Sequence, residues 1–71
     1  MAKYYTLAEK DDGENGRWCI LFGDYDKAAV TEERDIVQYA DGTPRSRLKI
    51  LETSDVQADI NAALAELNRG E

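Results

Sequence analysis

With no histidine and a single cysteine among its 71 residues, the chain has few routes to covalent or proton-transfer chemistry. Cys19 lacks the histidine or second thiol that would activate it as a nucleophile or redox centre. On a strand it reads instead as a small apolar packing residue. Glu33 is the carboxylate best placed for acid–base work, because Ala29, Val30, Ile36 and Val37 stand three or four positions away on an apolar helical stripe. A buried carboxylate is costly unless paired. The expected outcome is therefore structural: the stripe is shifted, and Glu33 reaches solvent or a basic neighbour. Asp11, Asp12 and Glu14 sit in one turn, whereas Asp24 and Asp26 belong to the far end of the same hairpin. These acids cannot converge on a metal, and the Asp-Asp-Gly-Glu-Asn-Gly run lacks the spacing of a calcium loop. The glycines are scattered as punctuation and form no phosphate loop. No metal, no cofactor and no enzymatic activity are expected.

Composition narrows the class further. Hydrophobic residues make up 42% and charged residues 34% of the chain, a balance that suits a folded globule and not a disordered tail. Residues 1–71 leave room for one domain. A lone cysteine fits a reducing compartment. The N-terminal residues carry no apolar signal-peptide core, and the longest apolar run, Trp18 to Phe22, is too short to span a bilayer. The expected location is cytoplasmic, with no membrane partner. A net charge of −6 opposes general attraction to nucleic acid.

The elements that position these side chains follow from periodicity and turn signals. Lys3 to Glu9 reads as a strand. Asp-Gly and Asn-Gly turn signals between Asp11 and Gly16 lead into a second strand, Arg17 to Gly23, and the pair forms a hairpin. Placing Trp18, Ile20 and Phe22 on one face joins them to Tyr5 and Leu7. Asp26 is a good N-cap, with Tyr25 and Val30 placed as a hydrophobic staple. The stripe of this first helix is Ala29, Val30, Ile36, Val37 and Ala40, closed by Gly42 and Pro44. Ser46 to Thr53 is the third strand. Ser54 and Gln57 match a capping box for a final helix with Val56, Ile60, Ala63, Leu64 and Leu67 on one face, fraying through Asn68 and Gly70. The fold class is α+β, in the order ββαβα. A right-handed crossover makes a three-stranded antiparallel sheet of order 2-1-3, with two helices packed on one face.

That arrangement leaves the other sheet face open. By alternation it carries Tyr4, Thr6, Ala8 and Lys10, then Arg17, Cys19 and Leu21, then Arg47, Lys49 and Leu51, with no acid among them. Three readings compete for it. It can be a solvated face, with long cationic stems lying over apolar groups. It can be a protein interface, with another chain or with a second copy in a homodimer, centred on Tyr4, Leu21 and Leu51 and rimmed by Arg17, Arg47 and Lys49, with Thr6 on the same face. It can also stack single-stranded nucleic acid on Tyr4, which one aromatic ring and a charge of −6 make the weakest of the three.

The stretch Trp18-Cys19-Ile20-Leu21-Phe22-Gly23-Asp24-Tyr25-Asp26, with Val30, Glu33, Asp35 and the closing Ala-Ala-Leu-Ala-Glu-Leu-Asn, resembles small uncharacterised bacteriophage and prophage proteins. The resemblance implies an accessory protein that binds and blocks a host factor, and it brings no catalytic residues with it. The preferred expectation is a non-catalytic protein-binding module acting through the sheet face. The alternative uses Asp24, Asp26, Glu32, Glu33 and Asp35 as mimics of nucleic-acid phosphates, in an inhibitor of a host defence enzyme of the anti-CRISPR or anti-restriction type.

Overall fold

A computed structural model describes residues 3–11 and 16–70 of the chain. In chain order the elements are β1 (Lys3–Lys10), β2 (Trp18–Asp24), α1 (Lys27–Ala40), a 3-10 turn at Arg45–Arg47, β3 (Leu48–Ser54) and α2 (Gln57–Gly70). The strands form one antiparallel sheet in the order β2-β1-β3, the α+β arrangement that a crossover through α1 requires. Of the expected hairpin turn, residues 12–15 lie outside the described residues. At its base the Asp11 N–H donates to the Arg17 carbonyl at 2.8 Å.

The helices do not share a face. Leu7 forms a core cluster with Val30, Val37 and Leu48, flanked by Tyr5, Phe22 and Ile50, so α1 covers one side of the sheet. Thr6 and Ala8 point to the other side, and they are 1% and 0% exposed. That side is closed by α2, which packs on β3 and β2 and whose Asn68 hydrogen-bonds both backbone groups of Trp18. The dimensions, 34 × 27 × 13 Å, fit a helix on each face of a ribbon three strands wide, about 10 Å across at ~4.8 Å per strand. Two helices side by side on so narrow a sheet would overhang it, and one face would be left bare.

The register explains the difference. Leu7 pairs with Phe22, but Ala8 pairs with Ile20, so Leu21 is an extra residue in a β-bulge. A bulge breaks the alternation of side chains. Phe22 therefore stays on the α1 side while Ile20 and Trp18 turn to the α2 side, where Trp18 is buried. The expected shared face of Trp18, Ile20 and Phe22 is split. Cys19, expected as a packing residue, is exposed.

Local signals set most of the boundaries. Asp26 caps α1 as expected, its carboxylate accepting the Ala28 N–H at 3.0 Å. Gly42 follows the helix with φ +68°, the left-handed conformation that favours glycine after a helix end. Tyr25 is half-exposed and stands edge-on to Tyr4, with ring centroids 5.0 Å apart. The buried stripe of α1 is Val30 and Val37; Ile36 and Ala40 are exposed, and Glu33 is partly exposed. The third strand begins later than Ser46, because Pro44 starts a 3-10 turn in which the Arg47 N–H returns to the Pro44 carbonyl at 3.0 Å. At α2, Ser54 Oγ accepts the Val56 N–H and donates to Asp59, and Gln57 turns to Asn61. The expected capping box does not form: Ser54 ends β3, and it is the Val56 carbonyl that takes the first helical amides, those of Asp59 and Ile60. The C-terminal turn stays helical through Asn68, held by the Trp18 backbone.

Candidate functional site

The residues expected to line one open sheet face do not form a single surface. Thr6 is covered by α2. Tyr4 is half-buried, its ring held between Tyr25 and the backbone of Gly23, where an added Cβ would lie 2.5 Å from the Tyr4 hydroxyl. Lys49 Nζ lies 5.5 Å from the centre of the Trp18 ring, a cation–π contact on the α2 side. Arg47 leaves the strand for the 3-10 turn, and its Nε and a terminal nitrogen donate to the Lys10 carbonyl at 3.1 and 2.9 Å. Leu51 is half-buried and Arg17 exposed. Leu21 stands out at the bulge of edge strand β2, 44% exposed. Bases have no free platform on this face, because α2 and Trp18 occupy it.

The acidic set divides in the same way. Asp24 accepts the Asp26 N–H at 2.9 Å and Asp26 accepts the Ala28 N–H, so both serve the start of α1. Glu32 and Asp35 remain exposed. They belong to a face of α1 opposite Val30 and Val37, where Glu32, Asp35, Ile36 and Tyr39 follow at i, i+3, i+4 and i+7. Ile36 is 50% exposed and Tyr39 94%. Sequence reasoning missed this stripe by assigning Ile36 to the core. The signal was the seven-residue repeat of Val30 and Val37, which fixes the buried line and turns Ile36 and Tyr39 away from it.

Comparison with protein-family models, curated proteins and solved structures returns no match. Geometry alone therefore has to carry the functional reading.

Two grooves remain. One, of ≈ 390 Å³, runs between α1 and β3 and is lined by Tyr5, Lys27, Arg34, Arg45, Leu48 and Ile50, with Lys49 and Glu52 at its edge. The other is the polar junction of the α1–β3 connection with the end of β1, where the Thr43 hydroxyl meets the Glu9 carboxylate at 3.3 Å. Its mixed charges anchor a loop. Among the described residues no group of three or more cysteines and carboxylates could hold a metal ion, and no helix is long and apolar enough to cross a membrane. Among the described residues, Tyr25 is the titratable group with a clear perturbation. Its hydroxyl donates to Asp55 at 3.1 Å, and that hydrogen bond, with the repulsion of the carboxylate, raises its pKa.

Proposed function

We propose that the protein is a non-catalytic protein-binding module whose partner docks on the outer face of α1. The observation that carries this reading is Tyr39, 94% exposed beside a half-exposed Ile36. Tyrosine anchors are enriched at interface centres, and a tyrosine has only two side-chain torsions to fix when it docks. Glu32 and Asp35 rim the pair and favour a partner with a basic rim. Exposed Cys19 suits a reducing, cytoplasmic setting, and a phage-type accessory role that occludes a host factor would act through this docking face. The alternative, phosphate mimicry toward a host nucleic-acid enzyme, now rests on Glu32 and Asp35, since Asp24 and Asp26 serve as caps.

Affinity capture from lysate, with nuclease present, compares the native protein with a Tyr39→Ala, Ile36→Asp double variant. Both substitutions are at exposed positions and should leave the fold intact. A protein retained in stoichiometric amount by the native chain and lost by the variant is the expected result. Equal retention by both chains overturns the assignment of this face. Retention abolished by Glu32→Lys with Asp35→Lys, but untouched by the Tyr39 variant, would favour the mimicry reading.

A further inference from the structure

The two edges of the sheet are finished differently. In an antiparallel ladder each residue turns its N–H and C=O to the same side, and successive residues turn to opposite sides. Lys10 pairs with Trp18. The Trp18 backbone groups point away from β1, to Asn68, and the Lys10 carbonyl points toward the β3 side, to Arg47. Lys10, Ala8, Thr6 and Tyr4 therefore face β3, where the last three pair with Lys49, Leu51 and Thr53. The remaining β3 residues, Leu48, Ile50 and Glu52, turn their backbone groups outward. The Leu48 N–H closes the 3-10 turn on Arg45. Among the described residues no turn, cap or side chain takes the N–H or C=O of Ile50 or Glu52.

Edge strands are ordinarily blunted by bulges, charges or covering groups. On β2 the Leu21 bulge and the Asn68 carboxamide do this. On β3 the register runs unbroken from Ser54 to Leu48, and the groove beside α1 lies open along it. Four cations line that groove in a chain of net charge −6, and one of them, Lys49, has its ammonium over the Trp18 ring. Lys27 and Arg45 have no ion-pair partner among the described residues. Arg34 has its side chain 20% exposed, and its Nε makes no hydrogen bond; Asp35 stands 3.6 Å away. Glu52, the acid at the groove, is shared with Lys3 at 3.6 Å. Lys27 and Arg34 lie on one flank of α1, seven residues and about 10 Å apart along its axis. That is about three residues of extended chain.

We propose that the β3 edge accepts an acidic extended peptide segment as a fourth strand, its backbone pairing with Ile50 and Glu52 and its carboxylates facing Lys27, Arg34 and Arg45. Strand addition takes its affinity from main-chain hydrogen bonds and its selectivity from alternate side chains. Here those side chains meet a cationic wall over an apolar floor of Tyr5, Leu48 and Ile50. A second copy paired through β3 would bring its own cations to the same groove, so like charges oppose it. The site is on the flank of α1 away from Ile36, and it stands or falls separately from the partner proposed for Tyr39.

The probe is an acetylated, amidated hexapeptide of alternating glutamate and valine, followed by amide chemical shifts and fluorescence anisotropy. Binding with shifts centred on Ile50 and Glu52 is expected. It should weaken at least tenfold in Lys27→Gln with Arg45→Gln, both exposed positions, and weaken with added salt. Backbone N-methylation at the edge-facing positions of the peptide should abolish it. The proposal is overturned if the peptide fails to bind at millimolar concentration or if a lysine–valine peptide binds as well. It is equally overturned if the N-methylated peptide or inorganic phosphate occupies the site with equal affinity, which would make it a small-anion site. Concentration-dependent dimerisation with shifts at the same amides would assign the edge to a second copy instead.

Discussion

A hydrogen bond from a tyrosine to a carboxylate couples ionisation of the phenol to folding. The Tyr25 hydroxyl donates to Asp55, and ionising it would lose that bond and set two negative charges face to face, so its pKa is raised. The folded value lies above that of the unfolded chain, which releases its proton first as pH rises. The stability this contact contributes is fully present below the unfolded value, about 10, and is lost as pH climbs through the folded one. Tyrosinate absorbance, compared with that of Tyr25→Phe to isolate this ring, should show Tyr25 titrating late, and Asp55→Ala should bring it back to the ordinary range. An unchanged Tyr25 curve in Asp55→Ala would remove Asp55 as the cause. The contact also marks where residue-level reading stops. Asp26 was legible as a cap because it serves an amide two positions on. Tyr25, expected as a local staple on Val30, instead meets Tyr4 and Asp55, which the sheet brings to it from distant parts of the chain.

At the scale of elements, strand order was legible and face assignment was not. Connection rules give the order 2-1-3 once a hairpin precedes a helix and a strand, and the sheet follows them. Alternation alone put Trp18, Ile20 and Phe22 together, and it failed at Leu21 because a bulge leaves no local mark in a run of apolar residues. That one extra residue sends Trp18 to the second face, gives α2 something to cover, and removes the open surface on which the sheet-face site depended. Ile36 and Tyr39 were missed for a related reason: an apolar residue at helical spacing reads as core until the buried line is fixed. The β1–β2 pairing is tight where Thr6 meets Gly23, since a Cβ there would press on the Tyr4 ring. Gly23→Ala should therefore cost about 1–3 kcal/mol, the range for overpacking. Adding Tyr4→Ala should recover most of that cost, because the two positions touch and their effects cannot be additive. Denaturant melts of the four proteins in the cycle measure the coupling, and strict additivity would show that Gly23 is required for some other reason.

For the molecule as a whole, two thin cores share one central strand. On the α1 side, Leu7, Val30, Val37 and Leu48 form a connected cluster. On the α2 side, Thr6, Ala8, Trp18 and Ile60 are buried, but the Thr6 hydroxyl and the Trp18 indole nitrogen have no hydrogen-bond partner. Buried polar groups left unpaired weaken a layer, and among the described residues of α2 Ile60 is the one that is buried. The helix is held in good part by Asn68, whose carboxamide accepts the Trp18 N–H at 2.6 Å and donates to its carbonyl at 3.3 Å, as a neighbouring strand would. Subdomains with few apolar contacts open before the whole protein unfolds. Native-state hydrogen exchange should accordingly give α2 amides a lower opening free energy than those of β1 and α1. Asn68→Ala should reduce the α2 value by about 1–2 kcal/mol, speed exchange at the Trp18 amide, and leave α1 nearly unchanged. It also uncovers the β2 edge, so the variant should self-associate at concentrations where the native chain does not. Equal loss of protection in both helices would instead make the molecule a single cooperative unit, with α2 as integral to it as α1.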